Sequence, residues 1–254
     1  MQIGFSQPIE LSWMEAAANA ACANLPRGEI RSRLDELLAP KIAAESSSKR
    51  SSRNKRVSIL MKIWVEPRKE LTGFRDYALG LWRNADHAQR VLIHYTVTIV
   101  AYPFFWSVAV HIGRLLRLQD HFSILQLKRR CQEEFGQRDT VAYALTRVVR
   151  TLADWGLVNR SRKVGNYTLC PSITNMPPTC EHLLIEACLR ALNEHDNLIE
   201  NITTNPGLFP WQFGHISLPE IAASSRFSIR SSDFGGIRIA LLDSEVSTRL
   251  NPIR

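Results

Sequence analysis

Apolar positions along this chain recur mostly at three- and four-residue spacing, the pattern of amphipathic helices, and alternate as in strands only in two short regions. Leu11 to Ala23 is Ala-rich, with Ser12 as its expected cap. Gly28 to Leu38 carries Ile30, Leu34, Leu37 and Leu38 on one face and is expected to stop before Pro40. Val57 to Trp64 and Leu71 to Trp82 are two further apolar stretches. Val91 to Val110 holds no formal charge, and its length alone would suit a membrane span. His94, Thr96, Thr98 and Ser107 interrupt it with polar groups, and Pro103 cannot donate to a helical ladder. The expectation is therefore a central buried helix, broken near Pro103, with Tyr102, Phe104, Phe105 and Trp106 in the core and a membrane partner unlikely.

The most specific pattern runs from Phe122 to Leu169. One helical segment opens at Phe122-Ser123 and closes at Gly136; a second opens at Asp139-Thr140 and ends at Asp154-Trp155-Gly156. In the second, Val141, Leu145, Val148, Val149 and Leu152 form an apolar stripe, and Thr140, Tyr143, Arg147, Arg150 and Thr151 fall opposite it. Asp139 or Thr140 is the expected N-cap, and Gly156 can take the left-handed conformation that ends a helix. Leu157 to Leu169 then reads as two short strands around a basic turn at Lys163-Val164-Gly165-Asn166. Two helices, a tight turn and a positively charged hairpin make a winged helix-turn-helix, whose second helix is suited to the major groove of DNA.

Charge sharpens that reading. The chain's formal net charge is +8, and between Ile112 and Leu169 there are 11 Lys/Arg against 5 Asp/Glu. A basic excess gathered on one module is the electrostatic footprint of phosphate contact. Residues 46–56, with Lys49, Arg50, Arg53, Lys55 and Arg56 among serines, read as a flexible basic loop adding salt-dependent contacts to the same phosphates. The alternative for this stretch is a solvated linker.

After Cys170 the balance reverses, with 9 acids and 6 bases up to Arg254. Glu181 to Asn193 is an amphipathic helix, Phe209-Pro210-Trp211 a loop with bulky, exposed-looking anchors, and Phe227–Arg230 and Ile237–Leu242 a hairpin across Gly235-Gly236. Such an acidic module suits protein–protein contact better than chemistry, and equally a lid over the bundle. The five cysteines form no CxxC pair and Cys180 and His182 lack metal-ligand spacing, so reduced thiols in a cytoplasmic protein are expected, with no metal and no cofactor. No phosphate loop, dinucleotide fingerprint, GxSxG elbow or HExxH motif is present, and no enzyme is expected. Nor does the N-terminus carry a basic stretch followed by an apolar core, as a secretory leader would.

Three stretches, Ile59-Leu60-Met61-Lys62-Ile63-Trp64, His94-Tyr95 with Tyr102-Pro103-Phe104-Phe105, and Thr140 to Trp155-Gly156-Leu157, together resemble BrxA-like proteins over residues 55–170. These are small helical DNA-binding components encoded in bacterial BREX anti-phage islands. The long segment after residue 170 departs from that pattern. The resemblance implies a cytoplasmic protein that binds double-stranded DNA beside larger protein partners, with contacts at Arg147, Arg150, Arg160, Arg162 and Lys163.

The expected architecture is mainly α: a helical bundle over 1–118 with the basic loop at 46–56, a winged helix-turn-helix over 119–170, and a small α+β module over 171–254. The expected function is non-enzymatic DNA binding within a phage-defence or DNA-processing complex, with Thr140, Tyr143, Arg147 and Arg150 toward the groove. The alternative is an interaction scaffold whose winged helix touches a protein.

Overall fold

The computed structural model describes residues 4–43, 49–214, 216–232 and 235–242. It is mainly helical, with 63% helix against 11% strand, and its strands form two small antiparallel sheets. One cluster of buried hydrophobic residues runs continuously from Phe5 to Ile239, so all three parts of the chain share a core.

The bundle is built from α1 (Leu11–Cys22), α2 (Arg27–Ala43), α3 (Lys49–Trp64), α4 (Thr72–Trp82), α5 (His87–Ala101) and α6 (Pro103–Leu118). Three sequence expectations change here. Ser12 lies inside α1, whose N-cap is Glu10. The second helix runs on through Pro40 to Ala43; the proline sits exposed near the helix end, where water can reach the carbonyl it leaves unbonded. Residues 49–56 are not a loop but the opening turns of α3. The helix there places its bases against acceptors on neighbouring segments: Arg53 Nε donates to Asp35 Oδ1 at 2.8 Å, and Arg56 Nε to Pro8 O at 3.3 Å. The part of that expected loop at 46–48, and the side chains of Lys49 and Arg50, lie outside the described residues.

The uncharged run is divided as Pro103 dictates. Helices α5 and α6 meet at Tyr102 and bend by 117°, and among the described residues no single helix is long and apolar enough to cross a membrane. Asp86 and Gln89 close a reciprocal capping box at the start of α5, and Pro103 opens α6, where a missing N–H costs nothing. Every residue of α5 from Val91 to Ala101 is buried, including His94, Thr96 and Thr98. The two threonines donate to the Ile93 and His94 carbonyls within the helix. His94 has no such outlet. Its ring lies 4.6 Å from Trp82, 5.4 Å from Trp64 and 6.3 Å from Trp155, and neither nitrogen meets a partner among the described residues.

Beyond α6 the chain forms β1 (His121–Ser123), α7 (Ile124–Phe135), α8 (Asp139–Asp154), β2 (Val158–Arg160) and β3 (Asn166–Leu169), with sheet order β1-β3-β2. It then forms α9 (Pro178–Leu192), β4 (Asp196–Leu198), α10 (Ile199–Thr203), α11 (Leu218–Ala223), β5 (Phe227–Ser231) and β6 (Ile237–Leu241), with sheet order β4-β6-β5. Both sheets are antiparallel throughout. The two halves thus repeat one topology: a helix, a short strand leading directly into a second helix, a third helix, and a hairpin whose last strand lies in the middle. In the second copy the short α10 and α11 are separated by the 204–217 connection.

Residues 207–211 of that connection are buried. Phe209 and Trp211, expected as exposed anchors, are buried against α5, with Trp211 4.8 Å from the Tyr95 ring; the Tyr95 hydroxyl donates to the Gly207 carbonyl. The side of α5 that carries Tyr95 needs covering, and these rings cover it. At the neighbouring helix, a Cβ on Gly113 would stand 1.8 Å from the Pro206 carbonyl oxygen. Glu186, 1% exposed, ties α9 to β5 by accepting from Arg226 and Arg190. Arg226 also lies 4.3 Å over the Tyr77 ring of α4.

Two stability outcomes follow. Gly113→Ala should force the 206–208 turn off α6 and cost about 2–3 kcal/mol in urea unfolding, whereas Gly28→Ala, with open space around it, should not show that clash. Burial, then the charge of Arg90, holds the His94 imidazole near pKa 3 against 6.5 when unfolded. Because the unfolded state binds the proton first, this group's contribution is intact above 6.5 and is lost as pH falls from there toward 3. Comparing the wild type with His94→Leu at about pH 7.5 and about pH 5 should show roughly 2 kcal/mol less acid loss in the variant.

Candidate nucleic-acid interface

The face of interest is assembled by local rules. Ser123 caps α7 by accepting from the Gln126 N–H at 3.1 Å, while the Gln126 side chain accepts from the Ser123 N–H at 2.9 Å. Gly136, at φ +82°, ends that helix and Gly156, at φ +71°, ends α8. The expected Asp139 or Thr140 cap is not formed: the N-cap is Arg138, without a side-chain hydrogen bond, and Asp139 is instead an acid in the first turn. Val141, Leu145, Val148, Val149 and Leu152 are buried as the periodicity requires.

On the opposite side, Thr140 and Arg150 are exposed, Tyr143 is 64% exposed, and Arg147 lies half-buried with its guanidinium 6.0 Å over the Tyr143 ring. Burial, then the charges of Arg150 and Arg56, push the Arg147 guanidinium below its ordinary value. Three cations from α3 and α8 are therefore close enough to repel one another. The hairpin beyond carries exposed Arg160, Arg162 and Lys163, and Val164 at its tip is 98% exposed. The tip is set by Asn166 N–H donating to Lys163 O and by Gly165 at φ +80°. Its base is fixed by β1, where Phe122 stacks on Tyr167 at 5.4 Å.

Thr151, expected on the exposed face, is fully buried. The N-terminal segment crosses it: Ile9 N–H donates to Thr151 Oγ1 at 3.0 Å, Leu11 N–H to Asp154 Oδ2 at 2.8 Å, and Trp155 Nε1 to Ile9 O at 3.0 Å. Arg56, 6% exposed, also donates to Pro8 O and lies 5.6 Å from the Trp13 ring. An open cleft of about 520 Å³ results, lined by Trp13 and Arg56 from the bundle, Arg150 and Asp154 from α8, and Arg160 and Tyr167 from the hairpin.

Of the positions expected to contact DNA, the structure gathers Thr140, Tyr143, Arg147, Arg150, Arg160, Arg162 and Lys163 on α8 and the hairpin, with Arg56 beside them. Arg53 is instead drawn to Asp35, and Lys55 is exposed on α3. Among the described residues Arg147, Arg150, Arg160, Arg162 and Lys163 form no salt bridge, and no group of three or more His, Cys, Asp or Glu side chains could hold a metal ion. Sequence reasoning missed Trp13 and Tyr167, whose apolar positions gave no sign of a cleft between them.

No known protein family, curated protein or solved structure matches the chain.

The strap over α8 is testable. Thr151→Val leaves the Ile9 N–H buried without its acceptor and should cost about 1–3 kcal/mol. Hydrogen exchange at Ile9 should accelerate, while that of Leu152, in the same helix, should follow only the global change.

Proposed function

We propose that the chain is a non-enzymatic protein that binds double-stranded DNA through a winged helix formed by β1, α7, α8, β2 and β3. The observation that carries the proposal is a set of exposed or half-buried cations that form no salt bridge among the described residues: Arg147 beside Arg150 on α8, Arg160 sharing a cleft with Arg150, and Arg162 and Lys163 at the hairpin tip. Some surface guanidiniums elsewhere have carboxylates, as Arg27 has Glu66, Arg33 has Glu29 and Arg238 has Asp196. Others, such as Arg31 and Arg114, form no ion pair among the described residues, so it is the grouping of the α8 and hairpin cations, not the lack of partners alone, that supports the reading. A face that keeps like charges together without internal partners is complementary to a polyanion.

In this reading Thr140, Tyr143 and Arg147, nearest the start of α8, meet base edges and phosphates in the major groove, while Arg162 and Lys163 hold the backbone beside it. Val164 is an apolar tip that a groove wall or sugar can cover. A role as an accessory subunit of a phage-defence complex, working beside larger protein partners, is proposed on the resemblance to BrxA-like proteins. The scaffold alternative draws on the acidic C-terminal module and on Phe209 and Trp211 as docking groups; both aromatics are enclosed by α5 and its neighbours, which removes that second support and favours the DNA reading.

Arg147→Ala combined with Arg150→Ala should weaken binding to a random duplex roughly ten- to hundredfold in fluorescence anisotropy. The wild-type affinity should fall steeply with salt, with a log–log slope of about −0.9 per phosphate contacted. Wild-type affinity in the double variant would sink the assignment of this face.

A further inference from the structure

The cleft beneath the hairpin has chemistry of its own. Its acids are already engaged: Glu10 accepts from Lys41 at 2.6 Å, and Asp154 accepts from the Leu11 N–H. Its exposed guanidiniums are not, since neither Arg150 nor Arg160 has an ion-pair partner among the described residues. They come from different elements, the last full turn of α8 and the end of β2, so packing rather than chain proximity brings them to one opening. Arg56 adds a third cation whose position is set by the Pro8 carbonyl, Ser52 and the Trp13 ring.

We propose that this cleft is a seat for a phosphate group, gripped by Arg150 and Arg160 with Arg56 behind them. A planar guanidinium matches two phosphate oxygens at once, and two on opposite walls can grip one group from both sides. Phosphate is favoured over a carboxylate because Arg150 and Arg160 both line the opening without an ion-pair partner among the described residues, and a dianionic group can meet both guanidiniums at once, whereas Glu10, the other acid of the lining besides Asp154, is held by Lys41. At about 520 Å³ the cleft is also larger than a bare ion requires, and the Tyr167 and Trp13 rings leave apolar wall beside the charges. The phosphate has two sources, the backbone of a bound duplex or a free phosphorylated compound of nucleotide size. With the first source, the seat belongs to the DNA face proposed above and rests on that reading; with the second, it stands without it. In either case the bundle takes part in binding, because its N-terminal segment and α3 form half the walls.

The test uses the full chain, isothermal titration calorimetry with inorganic pyrophosphate and with AMP, and anisotropy with a random duplex. Two variants are compared with the wild type: Arg160→Gln at the cleft, and Arg162→Gln with Lys163→Gln at the hairpin tip. Both sites are exposed, and circular dichroism checks that each variant folds. Saturable binding of pyrophosphate or AMP that weakens about tenfold or more in Arg160→Gln, but not in the tip variant, establishes the seat for a free phosphorylated compound. With no binding of either small probe, a reduction of the duplex salt slope by about 1 in Arg160→Gln establishes the backbone phosphate as the occupant. The proposal is overturned if neither probe binds and Arg160→Gln holds duplex with wild-type affinity and slope. Probe binding without any duplex binding by the wild type would leave the seat intact and remove the DNA reading instead.

Discussion

The fold depends on one constraint, that α5 is buried on all sides from Val91 to Ala101 and must be surrounded. A helix satisfies its own backbone polar groups, but eleven consecutive buried residues from Val91 to Ala101 leave no face for solvent. No single neighbour can enclose such a cylinder. Helices α3 and α4 bring Trp64 and Trp82 to His94, α8 brings Trp155 to the same ring, and the 206–211 segment brings Trp211 to Tyr95. The bend at Pro103 then returns α6 across the assembly, so that Gly113 meets the Pro206 backbone. The bundle, the β1–β3 module and the C-terminal segment are all walls of one chamber, and none of the three closes its core without the others.

This explains what the second copy of the helix–strand–helix–helix–hairpin topology does in the molecule. Its first helix, α9, has Leu183, Leu184, Ile185, Ala187, Cys188 and Leu189 all buried, far more than one amphipathic stripe would hide. Its second and third helices are short, and the connection between them is spent on packing Leu208, Phe209 and Trp211 inward. The first copy instead keeps a long α8 with one polar face open. One topology thus serves two ends: where the third helix is long, a surface is presented; where it is short, the intervening chain becomes core.

Local signals in the chain foretold local structure. Pro103 marked the break, Gly136 and Gly156 marked helix ends, and the Lys163–Asn166 turn with its flanking alternation marked the hairpin. Features that depend on distant partners were not legible. The serines and bases of 49–56 carry no helical stripe, yet Asp35 and Pro8 give Arg53 and Arg56 acceptors that a helix satisfies. Thr151 looked outward because its helical position lies opposite the apolar stripe, and only a segment more than a hundred residues earlier covers it. The strand β4 escaped notice for the same reason: His195-Asp196-Asn197-Leu198 is polar, and pairing with β6 rather than composition makes it a strand. Of the candidate surface, the α8 and hairpin cations were readable from spacing and charge; the cleft was not, because two of its walls belong to the bundle.

The arrangement of charge on that surface is also an energetic statement. Arg147 is half-buried among Arg150 and Arg56, and the shift in its guanidinium records both desolvation and repulsion, contributions that oppose folding. A helix has a simple remedy, an acid one turn away, and this chain uses it where Arg33 meets Glu29 and Arg190 meets Glu186. On α8 the acid four residues after Arg150 is Asp154, and its carboxylate is turned instead to the Leu11 N–H, anchoring the N-terminal strap. The acid that α8 itself could offer is thus turned to the wall of the cleft, and Arg150 forms no ion pair among the described residues. Local choices that raise the energy of the isolated protein are expected where a ligand lowers it again, and a phosphate held by Arg150 would offset one of the two charges that act on Arg147.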